Sequence, residues 1–493
     1  MPPAETVQPF TARRSPRRLL SRGVAVALIV LAVAAVIWIA RAAPVGTGFY
    51  AKQLCSAVFV SGRAPEDVVA QDLAVMWPGL VFRHVDWRID RADERVRASW
   101  LGLATREASH REGFGCTLES GLVPPYVRRV PPPPLVAEAG DHGAAFAPPL
   151  GPGPRRREAP VAAPLERAAT VPALERLLDA TFAAPSPGTL PATRAVVVMR
   201  HGRIVAERYA PGFAAYTRFP GWSMAKSVFN AVTGALVLRG LLDPAEAVRI
   251  AEWRAPGDPR GAITYDHLLR MSSGIAFSER YENPFSDIVT MLFLSPGAGR
   301  YAAARPLAAP PGIAWAYNGG ATNTLALALL RHVPPGMRYD DLPSRLVFEP
   351  LGMTSAVAER DEHGVFIASS YVLATARDWA AFGALYAADG VRGGTRLLPE
   401  GWVAYSRTPA PADSQGRYGA HFWRYDATER AAARAASPQP LPDDAFYAAG
   451  YAGQRITIVP SMGLVVVRLG YDVGRDRFDN AAFFARVLDA LGD

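Results

Sequence analysis

Gly221-Trp222-Ser223-Met224-Ala225-Lys226 is the stretch on which the reading of this chain turns. From Ser223 onward, Val228, Val232, Ala235 and Leu236 recur at helix spacing, and Gly240 offers a stop. The pattern predicts a helix that begins at Ser223. Residues three apart share a helix face, so Lys226 falls beside the Ser223 hydroxyl. A serine at a buried helix N-terminus also feels the positive end of the helix dipole. Serine is a weak nucleophile until a neighbouring base takes its proton, and a desolvated lysine is able to do so. Residue usage sharpens the point. Lys plus Arg number 53, and only Lys52 and Lys226 are lysines. A chain that writes Arg wherever a generic cation will do has kept Lys where deprotonation is an option, which Arg does not have.

A second serine chemistry is open at the same place. Gly221-x-Ser223-x-Ala225 loosely mimics the nucleophile elbow of α/β-hydrolases, and His267, His332, His363 and His421 all follow Ser223. That elbow should follow a buried strand, which Thr217 to Gly221 does not resemble. Alternating βα units are also missing from the pattern.

Outward from Ser223 the chain shows strands at both ends of one large unit. Upstream, after a helical pattern around Val171–Phe182, Ala195-Val196-Val197-Val198-Met199 runs to a turn at His201-Gly202 and on to Ile204 to Tyr209. Downstream, Ile456-Thr457-Ile458-Val459, a turn at Pro460–Gly463 and Leu464 to Leu469 form a second hairpin. The stretch between is mostly helical. The expected fold is therefore α+β, an antiparallel sheet from the N- and C-terminal strands with a helical subdomain inserted, over residues 166–493.

Several motifs then fall in a recognisable order. Ser223-x-x-Lys226 resembles the first motif of class C β-lactamases, penicillin-binding proteins and related esterases. Thr264-Tyr265-Asp266-His267-Leu268-Leu269-x-Met271-Ser272-Ser273-Gly274 and Phe348-Glu349-Pro350-Leu351-Gly352-Met353 resemble two further landmarks of that superfamily. Tyr317-Asn318-Gly319-Gly320 resembles its tyrosine motif, closer to the Tyr-Ser-Ser-Gly pattern of the branch with 6-aminohexanoate-oligomer hydrolases and esterases than to Tyr-x-Asn. Gly450-Tyr451-Ala452-Gly453-Gln454 resembles that branch's third motif.

The resemblance implies Ser223 as nucleophile, with Lys226 and Tyr317 as general base and acid. It implies an oxyanion hole from the backbone N–H groups of Ser223 and Tyr451, and Asn318, Gly450, Gly453 and Gln454 as substrate-binding candidates. One departure stands out. The family places a cation near position 448, and here the residue is Ala448. That cation normally meets a substrate carboxylate, so its absence argues against β-lactams unless Arg455 or Arg424 takes over. Asp266 reads as a helix cap and His267 as a core residue. Trp315 and Trp423 read as core or pocket wall.

The N-terminus reads as a membrane segment. Residues 23–41 follow a basic tail at 1–22, and Gly23 to Ala40 is continuously apolar or small between Arg22 and Arg41. The Arg cluster before it predicts a cytoplasmic tail, a single-pass inner-membrane anchor and a periplasmic catalytic domain. The rival is secretion after cleavage at Ala40-Arg41-Ala42. Residues 42–124 read as a small exported module. Its helix begins at Pro65, and its strand His84–Ile89 turns at Arg91–Glu94 into Val96–Leu103. The two cysteines, Cys55 and Cys116, are expected to pair there in an oxidising compartment. Residues 125–165, with Pro131–Pro134, read as an extended linker.

The formal net charge of +8 sits largely in Arg13, Arg14, Arg17, Arg18, Arg22 and Arg155–Arg157. No broad basic face results, so no nucleic-acid partner is expected. No His/Cys/Asp grouping calls for a metal, and no cofactor is implied. The partners expected are a small-molecule or peptide-like substrate and the membrane. Three functions stay open: an ester or amide hydrolase working through acyl-Ser223, a non-turnover penicillin-binding-like or cell-wall peptide sensor, and a true β-lactamase.

Overall fold

The computed structural model describes residues 16–73, 84–120, 166–183, 193–472 and 478–492, with side chains from Val24 onward. The expected linker at 125–165 lies outside the described residues.

The N-terminal layer carries helix α1 (Pro16–Cys55) and strands β1 (Val85–Asp90), β2 (Arg95–Trp100), β3 (Leu103–Arg111) and β4 (Gly115–Glu119). The four strands form one antiparallel meander in chain order. The first hairpin is the one the alternation predicts, with Arg91–Glu94 as its turn. The pattern did not give β3 and β4, because β3 alternates only weakly and is partly buried along most of its length.

The large unit opens with α2 (Pro172–Thr181) and the hairpin β5 (Thr193–Arg200) and β6 (Arg203–Tyr209). Strand β7 (Arg218–Pro220) leads into α3 (Met224–Leu238). Then come α4 (Asp287–Phe293), α5 (Gly319–Ala328), β8 (Val357–Ala358), β9 (Val372–Thr375) and α6 (Ala376–Ala387). The chain ends through β10 (Trp423–Arg424), β11 (Phe446–Gly450), β12 (Gln454–Val459), β13 (Leu464–Gly470) and α7 (Asn480–Gly492). The main sheet runs β10-β11-β12-β13-β5-β6, and every pairing is antiparallel. The join between the two ends of the unit is β13 on β5, with Val467 opposite Val197.

Both faces of this sheet are covered. Val197, Met199, Ile456, Val465 and Val467 face the helical subdomain and α6. Val196, Val198, Val466 and Tyr447 face α2 and α7. Strand residues alternate between faces, and here each face is a core, so the strands read as unbroken apolar runs.

A three-residue strand does precede Ser223, contrary to the expectation for Thr217 to Gly221. It pairs with β9 in a separate three-stranded sheet, β7-β9-β8, and not with the main sheet.

The boundary expected between anchor and module at residue 41 is not a break. Helix α1 continues through Arg41 and Pro44 to Cys55, exposed over Val24–Val36 and buried from Ala42. Nor does the N-terminal layer keep a core to itself. Val45, Phe49, Ala51 and Leu54 of α1 pack in one cluster with Trp222, Ile288, Met291, Phe293 and Tyr371 of the large unit. At the centre of that contact the Lys52 ammonium pairs with Glu359, both side chains fully buried. Glu359 also accepts from Ser56 Oγ and from the Cys116 backbone N–H at 2.7 Å. Burial pulls the Lys52 pKa down, and Glu359 opposes that shift. Cys55 and Cys116 are joined by a disulfide, with Cα atoms 6.0 Å apart.

Candidate active site

The turn that carries Ser223 is tightly built. The Gly221 N–H donates to the Val372 carbonyl of β9 at 2.8 Å, and a side chain at Gly221 would run into the Trp379 ring. Trp222 then takes a left-handed conformation, φ +47°. Such a conformation costs a bulky residue energy and persists only when the surroundings impose it. Its ring is held between Tyr371 and Tyr451. Ser223 follows as the residue before the first turn of α3, partly exposed, and α3 ends before Gly240 as the sequence predicts.

Lys226 lies one turn on, its side chain buried. Its Nζ is 2.9 Å from Ser223 Oγ and 3.0 Å from the Ser369 carbonyl oxygen. Ser369 is itself fixed by Asn323, whose amide group donates to Ser369 Oγ at 3.0 Å and accepts from the Ser369 N–H at 3.2 Å. Tyr317 presents its ring face to Lys226, with Nζ 4.9 Å from the centroid. Tyr418 and Trp423 back that ring at 5.7 and 5.2 Å, and Trp315 packs on both, so the tryptophans form the wall behind Tyr317. The site thus brings Ser223, Lys226 and Tyr317 together.

The third motif packs closely against the Ser223 turn and within itself. A Cβ at Gly450 would collide with the Gly221 carbonyl oxygen, so glycine there lets β11 close against the nucleophile turn. Tyr451 follows at the cleft rim. Gln454 and Asn318, expected to bind substrate, are buried and internally engaged. Gln454 Nε2 donates to the carbonyls of Tyr451, Ala452 and Gly470, and its Oε1 accepts from the Gly470 N–H. Asn318 caps α5 through the Ala321 N–H at 2.7 Å and donates to the Ala316 carbonyl. A side chain at Gly453 would collide with Asp472 and Arg468, so glycine there makes room for that pair. Ala448 points into the core. Arg455 is held by Glu429 at 3.0 Å over the Tyr447 ring, and Arg424 donates to the Gly416 carbonyl.

Thr264, not Asp266, caps the short helix 265–269; Asp266 accepts from Arg270 and Tyr405. His267 completes that cap and is partly buried.

Two contributors escaped the sequence reading. Glu279 is partly buried, close enough to Lys226 to feel its charge. It accepts from the Gly319 N–H at 2.8 Å and from Tyr281 at 3.3 Å. Burial raises its pKa, and Lys226 works against the rise. Nothing in its local pattern separates it from the other acidic residues, which with it number 45. His421 is wholly buried, its Nε2 3.1 Å from Thr322 Oγ1. Burial first, and then Lys226, depress its pKa to about 3, so it stands neutral beside the lysine.

The beta-lactamase family model matches residues 191–490, the whole stretch that carries the sheet and this site. The chain belongs to the beta-lactamase family. Its fold is that of the family, as the order of motifs implied. It is similar to the 6-aminohexanoate-dimer hydrolase of Paenarthrobacter ureafaciens, 29% identical over 263 residues. That match covers 50% of this chain and 64% of the relative, so the chain spans less than two thirds of that protein's length. Among solved structures, a 6-aminohexanoate-dimer hydrolase homologue from Bacillus anthracis superposes with TM-score 0.53 at 21% identity, covering 67% of this chain and 88% of that one. A family VIII carboxylesterase is also similar, TM-score 0.49 at 18% identity over 66% and 99% of the two chains.

Proposed function

We propose that this beta-lactamase family member is a membrane-anchored serine hydrolase that cleaves neutral esters or short linear amides through an acyl-Ser223 intermediate. The observation that carries the reading is the 2.9 Å contact between a buried Lys226 Nζ and Ser223 Oγ. In the neutral form, Lys226 donates one N–H to the Ser369 carbonyl and turns its lone pair to the Ser223 hydroxyl. As Oγ attacks the substrate carbonyl carbon, the Ser223 proton passes to Nζ. The oxyanion takes hydrogen bonds from the Ser223 and Tyr451 N–H groups, and the close packing of Gly450 on Gly221 supports that pairing. Tyr317, beside Lys226, gives its phenolic proton to the leaving group as the bond to the carbonyl carbon breaks, and Lys226 passes the Ser223 proton on to Tyr317. Water then reverses the sequence to release the acid.

The substrate preference rests on charge. Ala448 offers no cation, and Arg455 is already committed to Glu429. A penicillin or cephalosporin carboxylate buried without a partner loses about 2 kcal/mol or more of binding. The similarity to a 6-aminohexanoate-dimer hydrolase agrees with this choice.

The anchor reading is supported by α1. Among the described residues it is the one helix long and apolar enough to cross a membrane. It runs unbroken through Ala40-Arg41-Ala42, and Arg41 is bonded to Pro284 and Thr290, which favours a retained anchor over a cleaved leader.

The test is kcat/KM for a nitrophenyl ester against a chromogenic cephalosporin on the same preparation, with Ser223→Ala as control. A higher value for the cephalosporin, lost in Ser223→Ala, makes the chain a β-lactamase. A single acylation event with no further turnover on any ester or amide makes it a penicillin-binding-like sensor.

A further inference from the structure

The end of the anchor and the rim of the catalytic cleft meet in one loop. Arg41, which closes the apolar run, donates from Nε to the Pro284 carbonyl at 3.2 Å and from Nη2 to Thr290 Oγ1 at 2.6 Å. Three residues before Pro284 stands Tyr281, which bonds Glu279 and packs 5.7 Å from Tyr451 at the site. Three residues of extended chain reach at most about 11 Å. The eighteen residues from Gly23 to Ala40 rise about 27 Å as a helix, close to the roughly 30 Å of a bilayer's hydrocarbon core. Arg41 therefore falls at the outer boundary of that core, among the headgroups. The loop bonded to it is at the same level.

The loop's composition agrees. Phe285, next to buried Pro284, is 51% exposed, and Trp38, one turn inside the boundary on α1, is 42% exposed. Aromatic rings at this level favour the headgroup zone. Arg280 is exposed beside them, as is Glu282, so the loop itself is close to neutral and its attachment rests on the rings.

We propose that loop 280–286 rests on the outer surface of the membrane that α1 crosses, so that the cleft draws its substrate from the bilayer: an ester or amide borne by an amphiphile whose apolar tail stays among the lipids. This rests on the reading of Ser223 as nucleophile and of residues 23–41 as anchor. It goes further by fixing which side of the cleft faces the lipid and which class of substrate reaches it.

The full chain, reconstituted in vesicles of phosphatidylcholine and phosphatidylglycerol, is assayed on nitrophenyl butyrate in the water phase and on nitrophenyl palmitate dissolved in the vesicles. Phe285→Asp is expected to lower kcat/KM on the palmitate by about tenfold and to leave the butyrate within about twofold. Equal effects on the two esters overturn the proposal. A second readout does not use activity. Cys55 and Cys116 are bridged, so Phe285→Cys supplies a lone thiol for an environment-sensitive nitrobenzoxadiazole label. Its emission is expected to shift to the blue in vesicles and to be quenched by headgroup-level spin-labelled lipid. Emission like that of the label in water overturns the placement. If the butyrate is not hydrolysed, or is hydrolysed equally by Ser223→Ala, the serine-hydrolase reading fails, and the label still decides where the loop lies.

Discussion

Lys226 Nζ lies 3.0 Å from the Ser369 carbonyl oxygen, a bond that leaves the amine aimed at the Ser223 hydroxyl. The lysine is thus oriented by a backbone group. No substitution at position 369 removes that acceptor, and no local pattern marks it.

Lys226→Arg is expected to be nearly as damaging as Lys226→Ala, with kcat down by about 10²–10⁴ in both. Arg keeps the charge but stays protonated. Steady-state rates on a nitrophenyl ester measure this. An Arg variant within a few fold of wild type reduces Lys226 to an electrostatic role.

Ser223→Ala is expected to abolish labelling by a serine-directed phosphonate while leaving the melting temperature close to that of wild type. Intact-protein mass spectrometry reads the adduct. Full labelling of the variant places the nucleophile elsewhere.

Lys52→Met strands the Glu359 carboxylate in the core and is expected to cost about 3–5 kcal/mol. Adding Glu359→Leu removes the stranded charge and should return most of that loss. Denaturant titration of the single and double variants decides it. A single variant as stable as wild type shows that the pair is not what joins the two layers.

His421 gives stability a pH dependence of known sign. Its pKa is about 3 in the fold and about 6.5 in the unfolded chain. Below pH 6.5 the unfolded state therefore binds a proton that the folded state refuses. Stability is lost as pH falls through that window, by about 1.4 kcal/mol per unit. Between pH 6.5 and 5, wild type should lose about 2 kcal/mol more than His421→Asn. Parallel pH profiles for the two proteins contradict this.

The bridge between Cys55 and Cys116 closes a loop with a sequence separation of 61. Its removal by Cys55→Ala/Cys116→Ala is expected to cost about 4 kcal/mol on chain-entropy grounds. Alkylation of the denatured, unreduced protein should find no free thiol. Two free thiols show that the bridge does not form.

The residues that were legible in advance are those whose role leaves a local mark. Ser223 and Lys226 share a helix turn, and the strands 195–199 and 464–469 are apolar runs long enough to read. Glu279, Ser369 and His421 were not legible, because their roles come from neighbours far along the chain. Asn318 and Gln454, expected among the substrate-binding candidates, are hydrogen-bonded within the fold. Their amide groups suit a ligand on paper, but each sits where backbone donors and carbonyls need closing, and the fold claims them first. Helix α1 runs on through residue 41 because the change from exposed to buried surface leaves a helix's backbone unaltered. Both surfaces call for apolar residues.

The Lys52–Glu359 pair also imposes a timetable. The two residues are separated by 307 positions, so at 5–20 residues per second Glu359 is made roughly 15–60 s after Lys52. During that interval the meander β1–β4 is complete and both cysteines are present, while the facing side of α1 still lacks its partner. The expectation is a cross-linked platform that waits at the membrane for the catalytic domain to settle on it. Nascent chains halted before residue 359 should carry the bridge yet be cut within 42–55 by added protease, and chains released at full length should resist. If the halted chains resist equally, the platform is already closed and the late carboxylate is not its latch.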